Sequence, residues 1–167
     1  MRKYLKQWIW GFLFVGGLGV LFHFTYDFLG QNRIAGLFFP INESIWEHLK
    51  LLYFPVALWW IAEGIMGGKK ERFFAPRVWA LSLSLLFIPV AHYTYSGIVG
   101  QRYSWVDISL FFAADLLYFF LAGKFKGADK EESEGENLLV IVVFLIWMFS
   151  FFLFTFFPPA LALFQEP

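Results

Sequence analysis

The stretch LLVIVVFLIWMFSFFLFTFF, residues 138–157, contains no charged residue, no glycine and no proline. Coiled as an α-helix at about 1.5 Å per residue, a run of this length covers the ~30 Å hydrocarbon core of a bilayer. Pro158-Pro159 then ends the run, because proline removes a backbone donor and clashes with the preceding turn. A soluble domain of 167 residues has no place for such a helix, and the rest of the chain has the same character.

Four more apolar runs of similar length precede it, at about 7–29, 44–66, 77–97 and 105–125. They are continuous rather than alternating, which excludes a membrane β-barrel, and lipid leaves no partner for an open sheet edge. Composition agrees. Hydrophobic residues make up 59% of the chain and charged residues 16%, against about 25% charged in an ordinary soluble domain. The mean hydropathy is +0.61. Twenty-four phenylalanines and eight tryptophans suit helix packing and the membrane interface. The expected fold is therefore an all-α integral membrane protein, a bundle of five transmembrane helices forming a single membrane domain over 1–167. Met1 to Lys6 is basic and precedes an apolar run, as in a signal peptide. The run is long and has no small-residue cleavage site, so it reads as a retained first helix.

The connectors set the orientation. Gly67-Gly68-Lys69-Lys70-Glu71-Arg72 reads as a charged turn, and Gly127 to Asn137 as an acidic, flexible loop. Ten lysines and arginines fall on the side of the N-terminus and the second and fourth connectors, and three (Arg33, Lys50 and Arg102) on the other. Basic residues stay on the cytoplasmic side, which predicts a cytoplasmic N-terminus and an outside C-terminus. Between the first two runs, Gln31 to Ile41 is apolar but too short to span. It is expected to lie on the outer interface or to re-enter it.

Ionisable residues in apolar spans cost several kcal/mol unless paired or hydrated, so each marks a candidate site. Counting along the helices places His23, Asp27, Glu43, Glu47, His48, Lys50, His92, Tyr93, Tyr95 and Asp107 toward the outer side, all three histidines among them. Asp115 stands alone near the midplane and Glu63 near the inner end. His23 and Asp27, four apart, share a helical face, and Glu43, Glu47 and His48 cluster on the next segment. His23, Asp27, Glu47, His48 and His92 are the candidate metal ligands, for zinc, iron or manganese. Glu43, Glu47, His48 and Asp107 are the candidate acid, base or metal-assisting groups, with Asn42, Ser44, Lys50, Tyr95 and Asp115 as accompanying polar residues. No established metal motif such as HExxH is present.

Each residue also has a structural reading. Ser44-x-x-Glu47 is a capping box, and Glu43 and Glu47 suit a helix N-terminus. Glu47 with Lys50 reads as a surface ion pair. Asp27 and Asp107 can simply mark helix ends. Gly16, Gly17 and Gly19 read as a close helix contact. The fifth run reads as a lipid-facing or packing surface without chemistry.

His23-Phe24-Thr25-Tyr26-Asp27, followed by Phe39-Pro40-Ile41-Asn42-Glu43-Ser44-Ile45-Trp46-Glu47-His48-Leu49-Lys50, resembles an uncharacterised family of small bacterial membrane proteins, a domain of unknown function. Tyr95-Ser96-Gly97, with Asp107 after it, is similar to that family's later motif, and Asp27 stands where Glu is expected. The resemblance implies a multi-pass membrane protein and no particular activity.

Three functions fit these residues. The first is a metal-dependent or acid–base hydrolase acting on a lipid-like substrate in the outer leaflet. The second is a small-solute or ion carrier, with Asp115 and Glu63 as inward steps; a homo-oligomer would supply the symmetry one short chain lacks. The third is a non-catalytic scaffold subunit. Membrane lipids are the expected partners. A zero formal charge gives no footing for nucleic acid, and the absence of cysteine excludes disulfides, thiolate metal sites and a cysteine nucleophile.

Overall fold

The computed structural model describes residues 2–67, 74–126 and 134–166. Their regular structure is entirely helical, with no strand among the described residues. The elements are α1 (Arg2–Phe28), α2 (Arg33–Phe38), α3 (Ile45–His48), α4 (Lys50–Gly67), α5 (Ala75–Val99), α6 (Ser104–Lys126) and α7 (Glu134–Phe156), followed by a 3-10 turn at Ala162–Phe164. Four of these helices are long and apolar enough to cross a membrane: α1 over Gln7–Phe28, α5 over Ala75–Val99, α6 over Ser104–Phe125 and α7 over Gly135–Phe156.

The run expected at 44–66 is helical apart from a local interruption at Leu49, where the backbone stays right-handed helical (φ −60°, ψ −27°). It divides at Leu49 into the one-turn α3 and the longer α4. Ser44 caps α3, its hydroxyl accepting from the Glu47 amide at 3.3 Å. Only half of the expected capping box forms. The Ser44 amide donates to Asn42 Oδ1 at 3.0 Å, which leaves the Glu47 carboxylate free to turn inward. The charged turn after Gly67 and residues 127–133 of the acidic loop lie outside the described residues, whereas residues 134–137 of that loop already belong to α7.

α1 ends in a Schellman motif. The Gln31 amide donates to the Tyr26 carbonyl and the Gly30 amide to that of Asp27, each at 3.0 Å, with Gly30 at φ 68°. This reversal sends the chain into α2, which packs on α1 and α7. The short apolar segment 31–41 is thus a helix-bearing hairpin with Ala35 and Gly36 buried.

α5 and α6 form an antiparallel pair along their length, and α1 lies against α4 and α6. Gly100, left-handed at φ 77°, closes α5 by donating to the Ser96 carbonyl at 2.8 Å. α7 exposes Leu138, Ile146, Phe149 and Leu153 on one side. Its other side carries an aromatic face. Trp46 meets Phe151 at 5.0 Å and Trp147 at 6.3 Å between ring centroids, and Tyr53 stacks on Phe144 at 5.1 Å. These rings hold α3 and α4 against the C-terminal helix.

Candidate functional site

Two polar clusters face one cavity. The first comes from the end of α1 and the loop and turn before α4. His23 projects from α1, Glu43 stands just before the Ser44 cap, and His48 closes α3. Glu43 Oε1 lies 3.8 Å from His23 Nε2, and Glu43 Oε2 lies 3.3 Å from His48 Nε2. One ligand atom from each residue falls within 4.8 Å of both others. An ion bonded tetrahedrally at about 2.0–2.1 Å separates its ligand atoms by about 3.4 Å, so small side-chain rotations would close this triangle. His48 Nδ1 lies 2.8 Å from the Ser44 carbonyl. A carbonyl only accepts, so Nδ1 carries a proton and Nε2 is the nitrogen turned toward Glu43.

The second cluster spans the α5–α6 hairpin. His92 Nδ1 lies 2.7 Å from Asp107 Oδ1, and the Tyr95 hydroxyl donates to the same oxygen at 2.8 Å. The Tyr103 amide donates to Tyr95 at 3.2 Å, which fixes the tyrosine. Asp107 sits in the first turn of α6, where the helix dipole favours its charge. A carboxylate only accepts, so Asp107 favours a proton on Nδ1 of His92 and leaves Nε2 as the ring nitrogen without this partner.

The shared cavity has a volume of about 420 Å³. His23, Glu43, His48, His92 and Asp107 all line it, and its body is apolar, with Leu51, Ile88, Phe111 and Phe112 among the walls. Gly19 is part of the wall for a steric reason. A Cβ there would stand 2.6 Å from the Phe111 ring and 2.8 Å from the Leu51 carbonyl oxygen. Gly16 meets Phe112 in the same way, whereas Gly17 faces open space.

Other candidates fall elsewhere. Consecutive residues on a helix point about 100° apart, so Glu47 and His48 cannot share a target. Glu47 turns into the protein. Its Oε2 accepts from the Ile41 amide at 2.9 Å and from Lys50 Nζ at 2.7 Å, and its Oε1 accepts from the Thr155 hydroxyl at 2.9 Å. Lys50 is fully buried and also donates to the Gly36 carbonyl at 2.8 Å and to Thr155 at 2.6 Å. This buried ion pair joins α2, α3, α4 and α7; it is not a surface pair. Asp27 is exposed, accepts from Gln31 Nε2 at 3.1 Å and lies outside the triangle. His92 belongs to the dyad.

The whole chain, residues 1–167, matches DUF6512, a family of unknown function. The chain belongs to that family. No curated protein and no solved structure matches it.

Two further residues of this DUF6512 chain, Arg102 and Thr155, were not legible as site residues. Arg102, which counts only toward charge in the sequence, lines the cavity beside His92. Thr155 completes the Lys50 network from a helix that shows no polar pattern. Near the other end, Arg77 binds Glu63 Oε2 through Nε at 3.1 Å and Nη2 at 2.8 Å, while Gln7 donates to Glu63 Oε1 at 2.6 Å. Asp115 is fully buried opposite Gly16, and neither of its oxygens has a hydrogen-bond partner among the described residues.

Proposed function

We propose that the chain is a membrane hydrolase of five transmembrane helices, with a cytoplasmic N-terminus and its active site in the outer leaflet. In this reading α3 and α4 together make the second crossing. His23, Glu43 and His48 hold a divalent ion such as zinc, and the substrate is lipid-like. One observation carries the reading. Three ligand atoms within 4.8 Å of one another stand at an apolar cavity that also exposes a His–Asp dyad.

His23, His48 and Glu43 would hold such an ion with two histidines and one glutamate, a ligand set of catalytic rather than structural zinc sites. A divalent ion held by these residues would supply an acidified water and polarise the bond under attack. His92 Nε2 takes the proton as the oxygen of water bonds to the substrate's ester carbon or phosphorus. It returns that proton to the departing alkoxide, so water and ester become acid and alcohol. Asp107 and Tyr95 hold His92 in register.

Metal analysis of protein purified without chelator tests the reading. About one zinc, iron or manganese per chain is expected, falling well below that in His48→Ala and Glu43→Gln. No stoichiometric metal in the wild type would sink the metal-dependent form. Orientation is tested separately. The chain has no cysteine, so a single cysteine at Gln101 should react with an impermeant maleimide from outside.

The buried, unpartnered Asp115 favours a second reading, a carrier that passes a cation inward from the same cavity. Solute or ion flux in proteoliposomes that Asp115→Asn abolishes would establish it, and flux-free liposomes would remove it.

A further inference from the structure

A second cavity, of about 440 Å³, adjoins the first. Its character differs. Ser96, Gln101, Gln165 and Glu166 line it, and His92 and Arg102 belong to the walls of both cavities. The two cavities therefore share a histidine and a guanidinium, and the second has the larger proportion of polar lining. Arg102 is exposed, and no acidic side chain pairs with it within ion-pair distance among the described residues.

From this arrangement we infer that the two cavities bind one amphiphile whose anionic group joins an apolar tail to a polar head, with Arg102 holding the anion. The inference rests on reading the first cavity as the active site and supplies its substrate class. The tail lies among Leu51, Ile88, Phe111 and Phe112, where leaving water stabilises it. A guanidinium offers paired N–H donors that match the oxygens of a phosphate or carboxylate. Beyond it, the amides of Gln101 and Gln165 and the carboxylate of Glu166 meet hydroxyl or amine groups of the head. A molecule seated in this way has the bond next to its anionic group beside His92. Arg102 is thus a specificity-determining residue, and the polar cavity is a headgroup subsite.

The test uses full-length protein in a neutral maltoside detergent, titrated with three short-chain probes and followed by native mass spectrometry. Dihexanoylphosphatidylglycerol carries tail, phosphate and polar head. Dihexanoylphosphatidic acid lacks the head, and dihexanoylglycerol lacks the phosphate. A charge-assisted hydrogen bond contributes about 1.5–3 kcal/mol, so the wild type should bind the phosphatidylglycerol about tenfold or more above dihexanoylglycerol. Arg102→Gln should abolish that preference, and Arg102→Lys should keep part of it. Glu166→Gln should narrow the gap between phosphatidylglycerol and phosphatidic acid alone. A wild type without preference for phosphate, or an Arg102→Gln variant that retains it, overturns the inference. Metal content, measured on the same samples, separates the two readings. Arg102-dependent binding without metal removes the metal site but keeps the subsite, and metal without Arg102-dependent binding does the reverse.

Discussion

Replacing Lys50 by methionine should cost more stability than any exposed substitution in the protein. The ammonium is fully buried, and its three N–H groups are spent on Gly36, Glu47 and Thr155 at 2.8, 2.7 and 2.6 Å. Methionine preserves the length of the stem and removes the charge. What remains is a buried Glu47 carboxylate, still bonded to the Ile41 amide and Thr155 but without its cation, and a Gly36 carbonyl with one donor fewer. Removing one partner of a buried ion pair costs about 3–5 kcal/mol, because the survivor is desolvated and unpaired. Adding Glu47→Gln removes the stranded charge while keeping a group that still hydrogen-bonds. The double variant should therefore recover most of the loss and stand within about 2 kcal/mol of wild type. Equilibrium unfolding in mixed maltoside and dodecyl sulfate micelles, followed by far-ultraviolet circular dichroism, measures both. A single variant within about 1 kcal/mol of wild type, or a double variant no better than the single, would refute the reasoning. The site should feel the change too. Glu47 pins the Ile41 amide, two residues from Glu43, so a disturbed Glu47 should loosen the loop that carries Glu43, and under the proposed function metal retention should fall.

Gly19→Ala should destabilise by about 1–3 kcal/mol through overpacking against the Leu51 carbonyl, whereas Gly17→Ala, facing open space, should be neutral or stabilising; equal effects in the same unfolding assay would contradict the geometry. Asp115→Val trades an unpartnered buried carboxyl for an apolar group, so stability should rise by about 1–3 kcal/mol, and a loss would mean that Asp115 has a partner in the folded protein. Asp107→Asn should disturb the Nδ1–H tautomer of His92. Nitrogen-15 spectra of ring-labelled histidine, simple to assign with three histidines, should show the change in one residue, and unchanged spectra would remove the dyad.

The helical class and the membrane-length helices were legible because apolar run length is a one-dimensional property. The gathering of histidines and acids toward one end was legible for the same reason, since depth follows from counting residues along a helix. Direction around the axis was harder. Glu47 and His48 were both read as ligands, yet adjacent positions diverge by about 100°, and the Asn42 bond to the Ser44 amide releases Glu47 to turn inward. The interruption at Leu49 left no mark in hydropathy because it is one residue in a backbone that stays right-handed helical. The burial of Lys50 depends on Thr155, 105 residues away, in a run whose only hydroxyls, Ser150 and Thr155, stand amid phenylalanines. Pairings across that distance are set by packing between aromatic faces, which no local pattern reveals. His92 and Asp107 were each singled out. Their direct bond follows from the tight α5–α6 turn at Gly100.

That long-range bond has a consequence for how the protein is made. Lys50 leaves the ribosome 105 residues ahead of Thr155, a delay of roughly 5–20 s at ordinary elongation rates. Throughout it, the ammonium and its glutamate lack the hydroxyl that bridges them. Chains released before α7 is complete would carry an open charged seam on α3 and α4. The environment of this ion pair is therefore complete only once the phenylalanine-rich α7 has packed against α3 and α4.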